Sequence, residues 1–209
     1  FYFGHPLIEA ISSHKINNSF FSENNIPNNK PVIAFLPGSR TQEIKTMLPI
    51  FLSIISDYPN YNFVIAGVSN VDPKLYNQVA YSNLFIIYNK TYDLLTNSFA
   101  AIVTSGTASL ECSLFKVPQL VCYKTSDLSY FIGKLFVKIR HISLVNIILE
   151  KDIVKELIQG DLNKKNLAFE FNKLCEQETR SKIIQEYSKI FDLLSVKDTS
   201  KKIASSIIS

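Results

Sequence analysis

Five short apolar runs, spaced by segments of helical period, limit what this chain can fold into. They are "PVIAFLP" (31–37), "NFVIAG" (62–67), "LFIIY" (84–88), "AAIVT" (100–104) and "QLVCY" (119–123). Each has strand length and shows no alternation of polar and apolar residues, so both faces of each strand are expected to be covered. Between the first two, Ile44, Met47, Leu48, Phe51, Leu52 and Ile55 recur at spacings of three and four, which predicts a helix from about Thr41 to Ser56. A short helix is expected after Pro73, another over "TYDLLTNSF", and a third opening at "SGTASLECSLF". Strands alternating with helices in this way make a doubly wound α/β domain: a parallel, Rossmann-like sheet with helices on both faces. Ligands of such sheets bind beyond the C-terminal strand ends. From about Ser126 the pattern turns helical, and "ENNIPNNK" (23–30) is the one linker-like stretch.

Composition narrows the function classes. A hydrophobic share of 46% against 19% charged residues supplies an ordinary globular core, which excludes a disordered or fibrous chain. The net charge of +4 is mild; it suits an anionic substrate or a membrane surface without requiring nucleic acid. Cys112, Cys122 and Cys175 form no CxxC pair or Cys/His cluster, so neither zinc nor a disulfide framework is expected, and a reducing compartment is the natural one. No apolar run reaches the roughly 18 residues that a membrane-spanning helix needs. The chain opens on Phe1 inside an apolar segment, which reads as a fragment whose N-terminal half is missing.

Chemistry is expected at two turns. "PGSR" follows the first strand and "SGT" (105–107) the fourth. Each offers a glycine for close backbone approach, a hydroxyl, and the unpaired N–H groups of a helix start. Ser39 with Gln42 resembles a capping box. Arg40 is out of place at a helix N-terminus, where the dipole already disfavours cations, unless an anion is held there. Two such mouths on one sheet edge would cradle a diphosphate, with Arg40 as a bidentate donor. The competing reading is a tight-packing turn and a solvated arginine. Neither turn is a P-loop, and no GxGxxG occurs. Glu111, one helical turn beyond Thr107, could accept both hydroxyls of a ribose; from residues alone, an ordinary helix glutamate is the simpler reading.

Four stretches carry a family resemblance. "GHPLIEA" (4–10), "LPGSRTQEIKTMLPIFL" (36–52), "TSGTASLECSLFKVPQLVCYKTSDLSYFIGKLF" (104–136) and "HISLVNIILEKDIVKELIQ" (141–159) occur in the order and spacing of lipid-A-disaccharide synthases, which the chain resembles from Gly4 to about Gln159. Those enzymes are GT-B glycosyltransferases, two Rossmann-like domains around a cleft, and the resemblance is to the donor-binding half. It implies an interdomain segment and linker over 1–30, a UDP-sugar-binding domain over 31–160, and C-terminal helices over 161–209 that pack on that domain or cross to the other. It further implies transfer of 2,3-diacylglucosamine from UDP-2,3-diacylglucosamine to 2,3-diacylglucosamine 1-phosphate (lipid X), with release of UDP. Ser39, Arg40, Gly106 and Thr107 would meet the diphosphate, Glu111 the ribose, and Asn146 the donor, with Glu156 and Gln159 in support. Val145 stands where the family has proline, and Lys155 where proline is common.

The resemblance also implies a bacterial protein of the cytoplasm, bound peripherally to the inner membrane that carries its acylated substrates. A homo-oligomer is left open, and no cofactor, metal or nucleic acid is expected. No DxD pair offers a divalent-ion site, and the general base is expected in the N-terminal half; His5 and His14 are weak candidates for it. The stripe "YFIGKLFVKIRH" (130–141), with Lys134, Lys138 and Arg140, reads first as a core stripe with solvated lysines and second as a membrane-facing element. Rival functions are another UDP-sugar GT-B transferase or epimerase, which would lack the "ISLVN…ELIQ" segment, and a stand-alone nucleotide-binding module.

Overall fold

The structure is a computed structural model and describes residues 6–125 and 140–195. Six parallel strands form one sheet: β1 (Val32–Leu36), β2 (Asn62–Gly67), β3 (Leu84–Tyr88), β4 (Ala100–Thr104), β5 (Gln119–Tyr123) and β6 (Lys155–Ile158), in the order β3-β2-β1-β4-β5-β6. Every residue of β1, β2 and β4 is buried, as two-sided apolar runs require. The order reverses between β1 and β4, which pair in the register Ile33↔Ala100 to Leu36↔Val103. Neighbours at such a reversal have helices leaving to opposite faces, so a crevice opens at their C-terminal ends.

Two helices precede the sheet, α1 (Pro6–Ser12) and α2 (Phe20–Glu23), and their Ile8 and Phe20 join the common core. The sheet helices are α3 (Thr41–Leu52), α4 (Thr91–Thr96), α5 (Thr107–Leu114) and α6 (Leu144–Leu149). The expected helix to Ser56 ends at Leu52, and a separate 3-10 turn covers Ile55–Asp57. The short helix after Pro73 is a 3-10 turn, Pro73–Leu75. β6 is a correction to the expected helical run after Ser126. Its "KELI" carries two charged residues and no β-branched residue but the last, because it is an edge strand whose identity comes from pairing with β5.

The C-terminal helices α7 (Lys164–Cys175) and α8 (Gln177–Leu194) pack on the domain, α7 against β5 and β6 and α8 against α5, α6 and α7. Tyr58, four residues before β2, donates its hydroxyl to Ala168 O at 3.0 Å, and its ring meets Phe171 edge-on. Arg180 donates to the carbonyl of Phe99, just before β4, and its guanidinium lies 3.4 Å from the centre of that ring. Gln119, at the start of β5, donates to the Tyr187 hydroxyl at 3.0 Å. All three contacts fall at or just before N-terminal strand ends. The segment 130–139 of the basic stripe lies outside the described residues; Arg140 and His141 both approach Asp152, at 3.5 and 3.4 Å.

Candidate functional site: two helix mouths on adjacent strands

At the crevice, the turn after β1 leads into α3 and the turn after β4 into α5. A cavity of about 370 Å³ lies between them, lined by Gly38, Ser39, Arg40, Glu43, Thr104, Gly106, Thr107 and Glu111 among others. The structure thus brings five of the seven expected residues together. Gly106 has φ 146° and ψ −157°, a conformation that only glycine adopts without strain, and an added Cβ would meet no atom within 4 Å. The glycine is therefore needed for the bend itself, and Thr107 and Ala108 just beyond it line the cavity. Their first-turn amides have no intrahelical partner, and no side chain among the described residues caps α5.

The α3 mouth differs. Its N-cap is Arg40, and the side chain that closes it is Glu43, three residues on, which corrects the expected Ser39/Gln42 capping box. Glu43 Oε2 accepts from the Ser39 and Arg40 amides at 3.2 and 3.3 Å, while Oε1 accepts from the Arg40 guanidinium at 3.0 Å. An arginine has no acceptor, so the cap runs one way, from backbone to carboxylate. A carboxylate satisfies two amides of the positive helix end better than a neutral glutamine would, which decides the register of the cap. Arg40 itself is 82% exposed at its side chain.

Glu111 is half-buried and lines both this cavity and a second of about 400 Å³, where it meets His14, Asn89, Lys90, Thr91, Tyr92 and Asp93. The two cavities also share Val68 and Thr91, so they adjoin. Burial raises the Glu111 carboxyl above the ordinary carboxylate range, and a hydrogen bond from the Tyr92 hydroxyl partly offsets it. Burial in turn raises the Tyr92 phenol, with Glu111 adding to the effect. The second cavity was missed in the sequence; its signal is the "NKTY" turn directly after β3, where Asn89 takes φ 55°. Thr104 was missed too: it is 8% exposed and its Oγ1 has no hydrogen-bond partner.

Asn146 and Gln159 stand apart from this group. Asn146 is 1% exposed, and its amide is committed within the protein. It donates to Val154 O and Glu156 Oε1, both at 2.9 Å, and accepts from the Ile153 and Val154 amides at 2.9 and 3.0 Å. Glu156 also accepts from the Ile142 and Ser143 amides, each at 3.0 Å. Ser105 donates to Ile142 O at 2.7 Å and Leu144 N to Ser109 Oγ at 3.3 Å, so this network props the α5 mouth from behind. Gln159 clasps the backbone of Thr125, accepting from its N–H at 2.7 Å and donating to its carbonyl at 3.1 Å. His14 lies 3.1 Å from Asp93, near enough for an ion pair though not aligned as a hydrogen bond, and edge-on to Tyr92 and Phe115. His5 lies outside the described residues. A larger cavity, about 720 Å³, opens beside β6, α7 and α8; it shares no lining residue with the other two and mixes charges of both signs.

An all-parallel sheet with a paired-mouth crevice at its switch point is a Rossmann-like domain, and solved structures of sugar-nucleotide enzymes share the fold. A putative UDP-N-acetylglucosamine 2-epimerase from Listeria monocytogenes superposes with a TM-score of 0.60 at 18% identity, over 88% of this chain and 47% of that one. The S. aureus MnaA–UDP co-structure gives 0.58 at 14% identity, over 98% of this chain and 51% of that one. The sequence is more specific: the Lipid-A-disaccharide synthetase family model matches residues 1–208, and the chain belongs to that family. It is 35% identical over 184 residues to the lipid-A-disaccharide synthase of Sulfurihydrogenibium sp. (strain YO3AOP1), covering 80% of this chain and 47% of that protein. It is 33% identical over 213 residues to that of Francisella philomiragia subsp. philomiragia, covering 97% and 56%. The chain spans about half the length of the curated relatives it matches.

Proposed function

We propose that this chain is the donor-binding half of a lipid-A-disaccharide synthase. It would hold UDP-2,3-diacylglucosamine while the sugar passes to lipid X. The observation that carries the reading is the single cavity into which both glycine-turn mouths, Arg40 and Glu111 converge, in a chain of this family. The diphosphate lies against the Thr107 and Ala108 amides with Arg40 across it. The ribose diol meets Glu111, and the base lies toward the Asn89–Tyr92 turn. On this reading residues 31–160 are the donor domain, 1–30 the interdomain segment and linker, and 161–209 a C-terminal part that packs on the domain or crosses to the other half.

Chemistry follows from where charge develops. The acceptor hydroxyl attacks the anomeric carbon as its bond to the diphosphate oxygen breaks; the hydroxyl proton passes to a base, and UDP departs with the bonding electrons. Positive charge spreads over the sugar ring while negative charge builds on the leaving diphosphate. Amides and an arginine fixed at that diphosphate therefore stabilise the transition state more than the bound donor. Asn146, Glu156 and Gln159 act by position, holding the backbone behind the α5 mouth and at the exit of β5. No helix among the described residues is long and apolar enough to cross a membrane. With acylated substrates, the enzyme works as a cytoplasmic protein resting on the inner membrane of a bacterium. Calorimetric titration of the 209-residue chain with UDP, UMP and uridine is the test. Affinity rising in the order uridine, UMP, UDP supports the reading; equal affinities, or none, overturn it.

A further inference from the structure

Glu43 lies in the "LPGSRTQEIKTMLPIFL" stretch, where the sequence assigns it no role. Its position gives it one. In the structure its carboxylate already holds the ligand set expected of a phosphate at the α3 mouth: the Ser39 and Arg40 amides on one oxygen, the Arg40 guanidinium on the other. It is held there closely. Gly38 has φ 108°, and a Cβ at that position would stand 2.5 Å from Glu43 Oε2, so the glycine leaves the space that the carboxylate fills. Both Glu43 and Arg40 line the 370 Å³ cavity, and the Glu43 side chain is 33% exposed. At the α5 mouth, by contrast, no side chain among the described residues caps the helix.

We propose that Glu43 is an internal stand-in for the diphosphate, which holds Arg40 until a nucleotide arrives and competes with that nucleotide for it. The proposal rests on the reading of this cavity as the diphosphate site. The two mouths then divide their work. The α3 amides stay with Glu43, and the diphosphate lies on the α5 amides. Arg40, long and largely exposed, is the group that changes partner. When the nucleotide leaves, Glu43 takes the guanidinium back. The carboxylate thereby lowers affinity for the departing UDP and selects ligands able to offer Arg40 more than one carboxylate does.

The experiment compares the 209-residue chain with Glu43→Gln, Arg40→Ala and the double variant, titrated with UDP, inorganic pyrophosphate and uridine. Glutamine keeps an acceptor for the helix cap but neither the charge nor the ion pair. An exposed ion pair is worth up to about 1 kcal/mol, which corresponds to about fivefold in affinity. Glu43→Gln is therefore expected to bind UDP and pyrophosphate up to about fivefold tighter, with uridine unchanged. In the Arg40→Ala background the gain should vanish, since there is no guanidinium to release. Unchanged or weaker UDP binding by Glu43→Gln overturns the proposal, as does a gain that survives Arg40→Ala. If Glu43→Gln does not melt cooperatively, Glu43→Asp makes the same comparison, because the shorter carboxylate cannot span amides and guanidinium together. A parent chain that binds no UDP sinks the cavity reading and this proposal with it; a parent that binds, with no gain in the variants, sinks the proposal alone.

Discussion

Replacing Glu111 with glutamine should move stability and nucleotide binding in opposite directions. The carboxyl sits one turn into α5, half-buried, with Cys112 and Leu110 buried beside it and the Tyr92 hydroxyl as its partner. Its folded-state pKa is raised, so the folded protein holds this proton to higher pH than the unfolded chain does. Between the two values the folded state binds more protons, and stability falls as pH rises through that window. Above that window the group is an ionised, partly desolvated carboxylate, and a neutral amide of the same shape removes the penalty. Relief of this kind at a functional site typically stabilises by about 0.5–2 kcal/mol. Binding should lose instead. An ionised carboxylate accepts both ribose hydroxyls, and each charge-assisted bond is worth about 1.5–3 kcal/mol. Glutamine keeps one acceptor, so the loss corresponds to roughly 10- to 150-fold in UDP affinity. Urea denaturation from pH 5 to 8 reads the first effect: the advantage of Glu111→Gln should shrink as pH falls. Calorimetry with UDP and 2′,3′-dideoxy-UDP reads the second, and the ratio of the two affinities cancels any protonation of the phosphates. An advantage that grows as pH falls, or a variant less stable than the parent across the whole range, refutes the burial argument. Equal losses for the two nucleotides refute the ribose contact.

Three further outcomes are expected. Arg40→Ala should weaken UDP by about 1.5–3 kcal/mol, leave uridine unaffected and barely change the urea midpoint, because its one ion pair is largely exposed. Gly106→Ala should cost about 1–3 kcal/mol of stability from backbone strain alone, since space for the methyl group exists, and should weaken pyrophosphate by re-aiming the α5 amides. Asn146→Ala takes the Asn146 partner from the buried Val154 amide and carbonyl, while the Ile153 amide keeps Lys151 O and Glu156 Oε1 keeps the Ser143 amide, a loss of roughly 2–4 kcal/mol in urea unfolding. A fall in UDP affinity of the still-folded fraction far beyond twofold would show instead that Asn146 reaches the ligand.

Strands β1, β2, β4 and β5 were legible because a strand buried on both faces announces itself as an unbroken apolar run; β3 reads the same way, yet as an edge strand it buries only Ile87 and exposes Tyr88, so the expected two-sided cover does not hold there. β6 was not legible, since only Leu157 of its four residues is buried and its pairing partner lies some 35 positions earlier in the chain. The two mouths were legible for a similar local reason: a glycine between a strand and a helix has few other uses. The cap at α3 was misread by one residue, because Ser39 and Arg40 both precede the helix and only the backbone decides which is the N-cap. Asn146 was harder still. Motif resemblance marks the residue as functional, but its four partners come from a turn and a strand that the fold brings back to it.

The strand order also sets a sequence of events. β1, β2 and β3 are contiguous in the chain and can pair locally, whereas β4 reaches β1 only after some 68 residues have been made. Non-local parallel pairing is slow, because the loop must close before any contact compensates for it. The two mouths face each other only once β4 has docked, so the crevice comes into being after much of the apolar surface is already covered. In a refolding experiment, uptake of nucleotide would then lag the burial of aromatic side chains such as Phe35 and Phe63, and the interval between the two signals would time the closing of the sheet.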